Sequence, residues 1–357
     1  MLRRRLLPLV ALLALALGAP AAAQAAPPRG FFGVMVNGPV QAPGFDLAAE
    51  ARTMRAAGVE SWRTEFAWDQ LEPQRGQYDW SSTDRRMAAA AQAGTDVLAL
   101  VVRAPRWASG SGDPFVPPRS PADLAGFFSA AIARYGPQGA FWAENPALPR
   151  RPIRTWQVWN EPNIAQYFRA QPFARPYARL LKASARAIRA ADRGATVVMA
   201  GLANFSWRDL AKAYTAGVRP WFDAAAVHPF SGRPSNSLKI ARLNRAAMDR
   251  AGDRRKPMWL TELTWSSAKG KKARLTKGWE TTEAGQAQRL RQAYGLFLGA
   301  RRALRLQRIF WYTWATVDRD SPNSFDYSGL RTVRADGTLA DKPALGAFRA
   351  VARAARR

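Results

Sequence analysis

The chain has 357 residues, 48% of them hydrophobic, enough for one large α/β barrel or for two smaller domains. It contains no cysteine and a single histidine, which excludes disulfides, thiol catalysis, a lipid-modified N-terminal cysteine and histidine- or cysteine-based metal clusters; no metal and no cofactor is expected. The formal net charge of +28 is of a sign that attracts polyanions, but the basic residues are spread along the chain and read as solvated helix faces, so no nucleic-acid partner is expected.

The first residues have the pattern of a secretory signal: Arg3-Arg4-Arg5, an apolar run over 6–17, and a small-x-small site at Ala23-Gln24-Ala25. The expected organisation is a cleavable signal over 1–25, a short lead-in over 26–30 stiffened by Pro27 and Pro28, and one catalytic domain over 31–357. An uncleaved anchor is the alternative for 1–25; no later stretch is long and apolar enough to cross a bilayer. The protein is expected to be secreted or held at the cell envelope.

Along the chain a β-rich apolar run is followed, repeatedly, by an Ala/Arg-rich amphipathic stretch that ends near a glycine. Strands are predicted at 31–36, 59–66, 97–102, 153–159, 196–200, 223–227, 257–262 and 308–314. Helices are predicted at 46–57, 82–93, from the Ser120-Pro121 start to Gly136, and at 173–193, 207–216, 237–251, 282–302 and 343–354. Eight strand-then-helix units imply a parallel sheet closed into a single (β/α)₈ TIM barrel. Two open-sheet domains would need a linker, and no low-complexity stretch or Gly-rich dinucleotide fingerprint supplies one. Four connections are long, at 103–118, 137–151, 264–281 and 315–341; all but the second follow a strand's C-terminal end, where barrel enzymes build their clefts.

Two carboxylates stand at such ends. Glu161 closes the fourth strand in Trp159-Asn160-Glu161-Pro162-Asn163, and Glu262 closes the seventh in Trp259-Leu260-Thr261-Glu262. Cleaving a glycosidic bond requires a proton for the departing oxygen and a negative group or water for the ring carbon, which a facing pair of carboxylates provides. Glu161 suits the acid role if its surroundings raise its pKa, and Glu262 the nucleophile role if polar donors keep it ionised. Arg63 on the second strand would orient Glu262, and Asn160 would meet a sugar hydroxyl. A structural ion pair with Arg63 is the competing interpretation for either glutamate alone. Glu65 is a candidate second acid, and Glu72, before Pro73, reads as a loop or cap residue.

His228, in Val227-His228-Pro229-Phe230, is expected to line the cleft or to be a buried structural group; no G-x-S-x-G elbow accompanies it. Trp68, Trp107, Trp265, Trp311 and Trp314 fall at strand ends, where a flat ring stacks on a sugar or simply packs. Trp314 is the expected platform, Trp311 its competitor, and Trp68 and Trp107 further cleft residues. Lys269, Lys271, Lys272 and Arg274 form the sharpest basic cluster, which would steer an acidic substrate or be a solvated loop.

Together these residues resemble glycoside hydrolase clan A, the retaining barrel glycosidases, with families 5 and 39 most similar. Trp159-Asn160-Glu161-Pro162-Asn163 with Thr261-Glu262 carries the likeness, joined by Trp68 to Leu71, Glu72-Pro73, Gly76 and Tyr78-Asp79-Trp80. The resemblance implies a retaining hydrolase of β-linked oligo- or polysaccharides, with Glu161 as acid/base, Glu262 as nucleophile, Asn160 on the sugar 2-hydroxyl and His228 in the cleft; the positive charge would extend the substrates to acidic ones. One position departs: many members carry a tyrosine two residues after that histidine, touching the nucleophile, where this chain has Phe230. Either Tyr312 or another group would substitute for the missing hydroxyl, or turnover would be slow. A non-catalytic glycan-binding protein on the same barrel, held at a surface by its charge, is the alternative function.

Overall fold

A computed structural model describes residues 26–271, 273 and 279–357. The signal segment 1–25 and, within the basic cluster, Lys272 and Arg274 lie outside the described residues.

The chain runs β1 (Phe32–Val36), α1 (Leu47–Ala56), β2 (Ser61–Ala67), α2 (Ser81–Ala93), β3 (Asp96–Val102), α3 (Pro121–Tyr135), β4 (Thr155–Val158), α4 (Ala174–Ala191) and β5 (Thr196–Val198). It continues through α5 (Ser206–Thr215), β6 (Ala225–Val227), α6 (Pro234–Arg250), β7 (Met258–Leu263), α7 (Glu283–Leu304), β8 (Leu306–Trp311) and α8 (Pro343–Ala354). The eight strands form one sheet in the order β5-β4-β3-β2-β1-β8-β7-β6. Parallel bridges at Val198–Ala224 and Leu202–Val227 join β5 to β6 and close the ring. The fold is a (β/α)₈ barrel.

Local chemistry explains the punctuation. Asp46, Ser120 and Thr282 cap α1, α3 and α7, each side-chain oxygen accepting a backbone N–H from the first turn at 2.9, 3.3 and 3.0 Å. At Gly94, φ is 69°, a left-handed turn out of α2 that only glycine takes without a steric penalty. The helix read over 173–193 stops differently: α4 is capped at Asp192, whose carboxylate accepts the Gly194 N–H at 2.9 Å.

The barrel interior dictates one further glycine. Leu98, Val198, Ala224, Ala226, Trp259 and Phe310 form a buried cluster separate from the larger core between sheet and helices. A Cβ on Gly33 would lie 2.4 Å from the Phe310 ring, so β1 carries no side chain there and Phe310 takes the space.

The eighth unit departs from the sequence expectation. β8 ends at Trp311 rather than at Trp314, and the connection over 315–341 holds a small sheet of β9 (Ala315–Thr316), β10 (Arg331–Val333) and β11 (Leu339–Asp341). Buried Lys342 holds it down, its ammonium 2.8 Å from Asp318, 2.9 Å from the Ser267 hydroxyl and 3.0 Å from the Tyr327 carbonyl. No helix among the described residues is long and apolar enough to cross a membrane.

Candidate active site

At the C-terminal rim of the barrel β4 and β7 deliver the two glutamates, and β2 and β6 deliver what lies between and below them. Because strand side chains alternate, Arg63 on β2 and Gln157 on β4 point to the same interior, and the Arg63 Nε donates to the Gln157 side-chain Oε1 at 2.8 Å. Its Nη1 donates to Glu262 Oε1 at 2.7 Å and its Nη2 to Asn160 Oδ1 at 2.7 Å. Arg63 is fully buried, so each of its three nitrogens has a fixed partner and the guanidinium locks three strands into one register. With Oδ1 held, the Asn160 amide nitrogen is the group left to face a ligand.

The backbone at Glu161 is bent to suit. Trp159 and Glu161 adopt left-handed φ values of 68° and 43°, a conformation that costs non-glycine residues about 1–3 kcal/mol each. Tertiary contacts hold it: the Trp159 indole N–H donates to the Tyr167 carbonyl at 2.8 Å, and the Glu161 N–H donates to the Gly201 carbonyl at 3.1 Å.

His228 joins the two carboxylates. Its Nδ1 lies 2.7 Å from Glu161 Oε1, and its Nε2 lies 2.9 Å from the Thr261 hydroxyl and 3.8 Å from Glu262 Oε1. Burial pushes the imidazole down to about 4, so it is neutral near pH 7. In the tautomer with the proton on Nδ1, it donates to Glu161 and accepts from Thr261. A Cβ on Gly201 would lie 2.0 Å from His228 Nε2, so only glycine at that point on the rim lets the ring occupy its place.

The glutamates have opposite surroundings. Burial raises the Glu161 carboxyl to about 7, opposed only by the more distant Arg63 charge. Glu262 instead touches that guanidinium directly. Glu161, His228 and Glu262 each present a ligand atom within 4.8 Å of the others, so the carboxylates meet across a gap suited to one reacting carbon. These three are also the residues that could hold a metal ion, but the Arg63 guanidinium against Glu262 puts a positive charge where a cation would bind. Both glutamates keep a little exposure, 6% for Glu161 and 8% for Glu262, so the pair is reachable from the rim.

The tryptophan expectations need correction. Trp314 is fully buried and its indole N–H donates to Glu50 on α1 at 2.9 Å, pointing away from the glutamates. It can offer no face to a sugar, because β8 ends three residues earlier. Its competitor Trp311 is fully buried as well, bonded to the Ser328 carbonyl at 3.0 Å. Trp68 is buried with its N–H 2.6 Å from Glu72 Oε2, and Trp107, half-buried, donates to the Glu72 carbonyl at 2.9 Å with the Arg75 guanidinium 4.2 Å over its ring. Both tryptophans brace the loop after β2, with Glu72 as its clasp.

Tyr312, partly exposed beyond β8, supplies an aromatic ring at this rim instead. Burial, and after it the Glu262 charge, raise its phenol above the ordinary range, and Asn37 Nδ2 lies 3.5 Å from its oxygen. The Tyr312 ring packs edge-on against Phe325 at 5.7 Å, and Phe325 meets Phe230 at 5.1 Å and Trp279 at 4.7 Å, forming an aromatic wall on the β6–β8 side. Burial, and after it the charges of both glutamates, raise the Tyr167 phenol, and its ring packs on Phe115 at 5.6 Å. No sequence signal marks Tyr167, Phe325 or Trp279: Tyr167 and Trp279 sit in loops and Phe325 in one short 3-10 turn, all without periodicity.

One family model, Glyco_hydro_42, described as beta-galactosidase, matches residues 38–108. No curated protein matches the sequence. Among solved structures, a family 39 glycoside hydrolase from Bacteroides cellulosilyticus is similar with a TM-score of 0.68 at 21% identity, over 90% of this chain and 63% of that one. A monomeric beta-xylosidase from Caulobacter crescentus is similar with a TM-score of 0.63 at 20% identity, over 91% of this chain and 69% of that one. A GH5_18 from Bifidobacterium longum subsp. infantis gives a TM-score of 0.63 at 17% identity, over 91% of this chain and 79% of that one. Identities this low establish a shared barrel fold. The chain spans less than two thirds of the length of the first of these.

Proposed function

We propose that the protein is a retaining glycoside hydrolase acting on a β-linked oligo- or polysaccharide. One observation carries this: two carboxylates lie with ligand atoms within 4.8 Å of one another, Glu161 raised by burial and Glu262 held by the Arg63 guanidinium. In the first step Glu262 attacks the anomeric carbon, the glycosidic C–O bond breaks, and Glu161 gives its proton to the departing oxygen. In the second, Glu161 takes a proton from water, the oxygen attacks the same carbon, and the glycosyl ester on Glu262 breaks. Arg63 holds and aims Glu262, His228 holds Glu161 Oε1 so that Oε2 faces the leaving group, and the free Asn160 amide meets the sugar 2-hydroxyl. Release to the cell exterior through residues 1–25 belongs to the same proposal and is checked by N-terminal sequencing of the exported protein.

The experiment is an aryl β-glycoside panel followed by proton NMR of the first anomer released. Retention of configuration supports double displacement, and first release of the inverted anomer rejects it. Phe230 in place of a hydroxyl favours the glycan-binding alternative. A binder without turnover would show sugar affinity and no product with any member of the panel.

A further inference from the structure

On the β1–β3 sector of the same rim lies a second cavity, of about 310 Å³, within the size range of small-ligand pockets. Gln70 and Ser82 stand exposed at its mouth, while Arg86, on α2, is only 6% exposed. Glu65, Gln41 and Arg103 complete its polar lining. Glu65 follows Arg63 by two residues on β2, so it points to the same side about 6.6 Å further along the strand from the arginine that holds Glu262.

The cavity's polar groups are not closed on one another. No donor among the described residues hydrogen-bonds the Glu65 carboxylate, although Arg103, Arg63 and Arg86 are its nearest positive charges. The Nε–H of buried Arg86 has no partner, and its Nη atoms reach only the Thr64 and Thr83 hydroxyls at 3.5 and 3.4 Å. Arg103 spends Nη2 on Asp69 at 2.7 Å and leaves its own Nε unpaired. The Nε atoms are shut away from the cavity, but the Glu65 carboxylate enters it with no donor spent on it and the Arg86 Nη atoms hold only long bonds, so acceptor and donor stand side by side for an occupant. An inorganic anion would only accept and would face Glu65; a cation would face two guanidiniums. A hydroxyl donates to the carboxylate while accepting from a guanidinium.

We propose that this cavity is a glycosyl-binding subsite in which Glu65 and Arg86 hold paired hydroxyls of a neutral sugar unit adjoining the one bound at Glu161 and Glu262. The proposal rests on the glycosidase reading, and its test separates the two. Binding of xylobiose, cellobiose and glucuronic acid is measured by calorimetry on full-length Glu262→Gln protein, which consumes nothing, beside the monosaccharides xylose and glucose. At least one disaccharide is expected to bind more tightly than its monosaccharide. Glu65→Gln and Arg86→Lys, added separately, are expected to weaken the disaccharide about tenfold, leaving the monosaccharide and the melting temperature unchanged. Unchanged disaccharide affinity in both variants overturns the proposal, as does tighter binding of glucuronic acid than of any neutral sugar, or no sugar binding at all. Turnover by the unsubstituted protein is scored independently, so a failure of hydrolysis leaves the subsite result standing, and the reverse.

Discussion

Arg63 Nη1 lies 2.7 Å from Glu262 Oε1 at the centre of the barrel, and the pair is almost wholly out of water. Such a pair is costly to break from one side, because the remaining charge stays buried. Arg63→Met is therefore expected to lose about 3–5 kcal/mol of stability as well as turnover, and Arg63→Lys to recover stability better than activity, since a lysine cannot also hold Gln157 and Asn160. Denaturant melts beside kcat on an aryl glycoside check both; an active and fully stable Arg63→Met would remove the guanidinium from the site's construction.

Glu262→Ala removes the proposed nucleophile and is expected to reduce kcat on the order of 10⁴-fold or more. Azide added to this variant is expected to restore turnover and release a glycosyl azide of inverted configuration, because a small anion fills the space the carboxylate leaves. Unchanged turnover in Glu262→Ala would move the chemistry elsewhere.

The pH dependence follows from two opposite shifts. Burial lifts Glu161 from 4.5 to about 7, so the fold prefers its protonated form. That contribution to stability is complete below pH 4.5 and is lost as pH rises through 7. Burial lowers His228 from 6.5 to about 4, so the fold prefers neutral imidazole, a contribution present above pH 6.5 and lost as pH falls through 4. In catalysis the acid must carry its proton in the first step, and kcat/KM is expected to fall tenfold per unit above about pH 7. Glu161→Gln should abolish that limb while retaining the first step for an aryl leaving group that needs no proton. The same alkaline limb in Glu161→Gln would assign it to another group.

The fold was legible because its signals are local and repeated: apolar runs of strand length, amphipathic helices, and capping residues such as Asp46, Ser120 and Thr282. Glu161, Glu262, Arg63 and Asn160 were legible for a related reason, since strand ends fix where such side chains point. The tryptophans were not. Whether Trp314 faces the cleft or α1 depends on where β8 stops, and that is set by the small sheet after it and by Lys342 on Asp318, contacts far apart in sequence. Reading the apolar run over 308–314 as strand to its end extends β8 by three residues and so puts the wrong aromatic at the rim. Gly201 carried no signal either, because its requirement arises only when β5 and β6 bring it against His228.

That approach gives a sharp test. A methyl group on Gly201 would sit 2.0 Å from His228 Nε2, so Gly201→Ala must move the ring or the backbone whose carbonyl receives the Glu161 N–H. Overpacking of this kind costs about 1–3 kcal/mol, which the barrel is expected to survive. The displaced imidazole should release Glu161 Oε1, so kcat falls and the alkaline limb shifts, with KM little changed. Kinetics across pH on Gly201→Ala check this, and an unaltered profile would show that His228 does not govern the acid.

Tyr312 tests the one departure from the clan A pattern. Phe230 carries no hydroxyl, whereas the Tyr312 phenol lies close enough to Glu262 to feel its charge. If that hydroxyl steadies the carboxylate, Tyr312→Phe should reduce kcat by about 10²-fold, the usual cost of one donor at a developing charge, with little change in stability. Phe230→Tyr in the same chain restores a hydroxyl from the β6 side and is expected to recover part of the loss. Recovery would show that the two positions serve one function from opposite edges of the aromatic wall. A Tyr312→Phe protein with full activity would instead mean that Arg63 alone is sufficient to keep Glu262 in its reactive state.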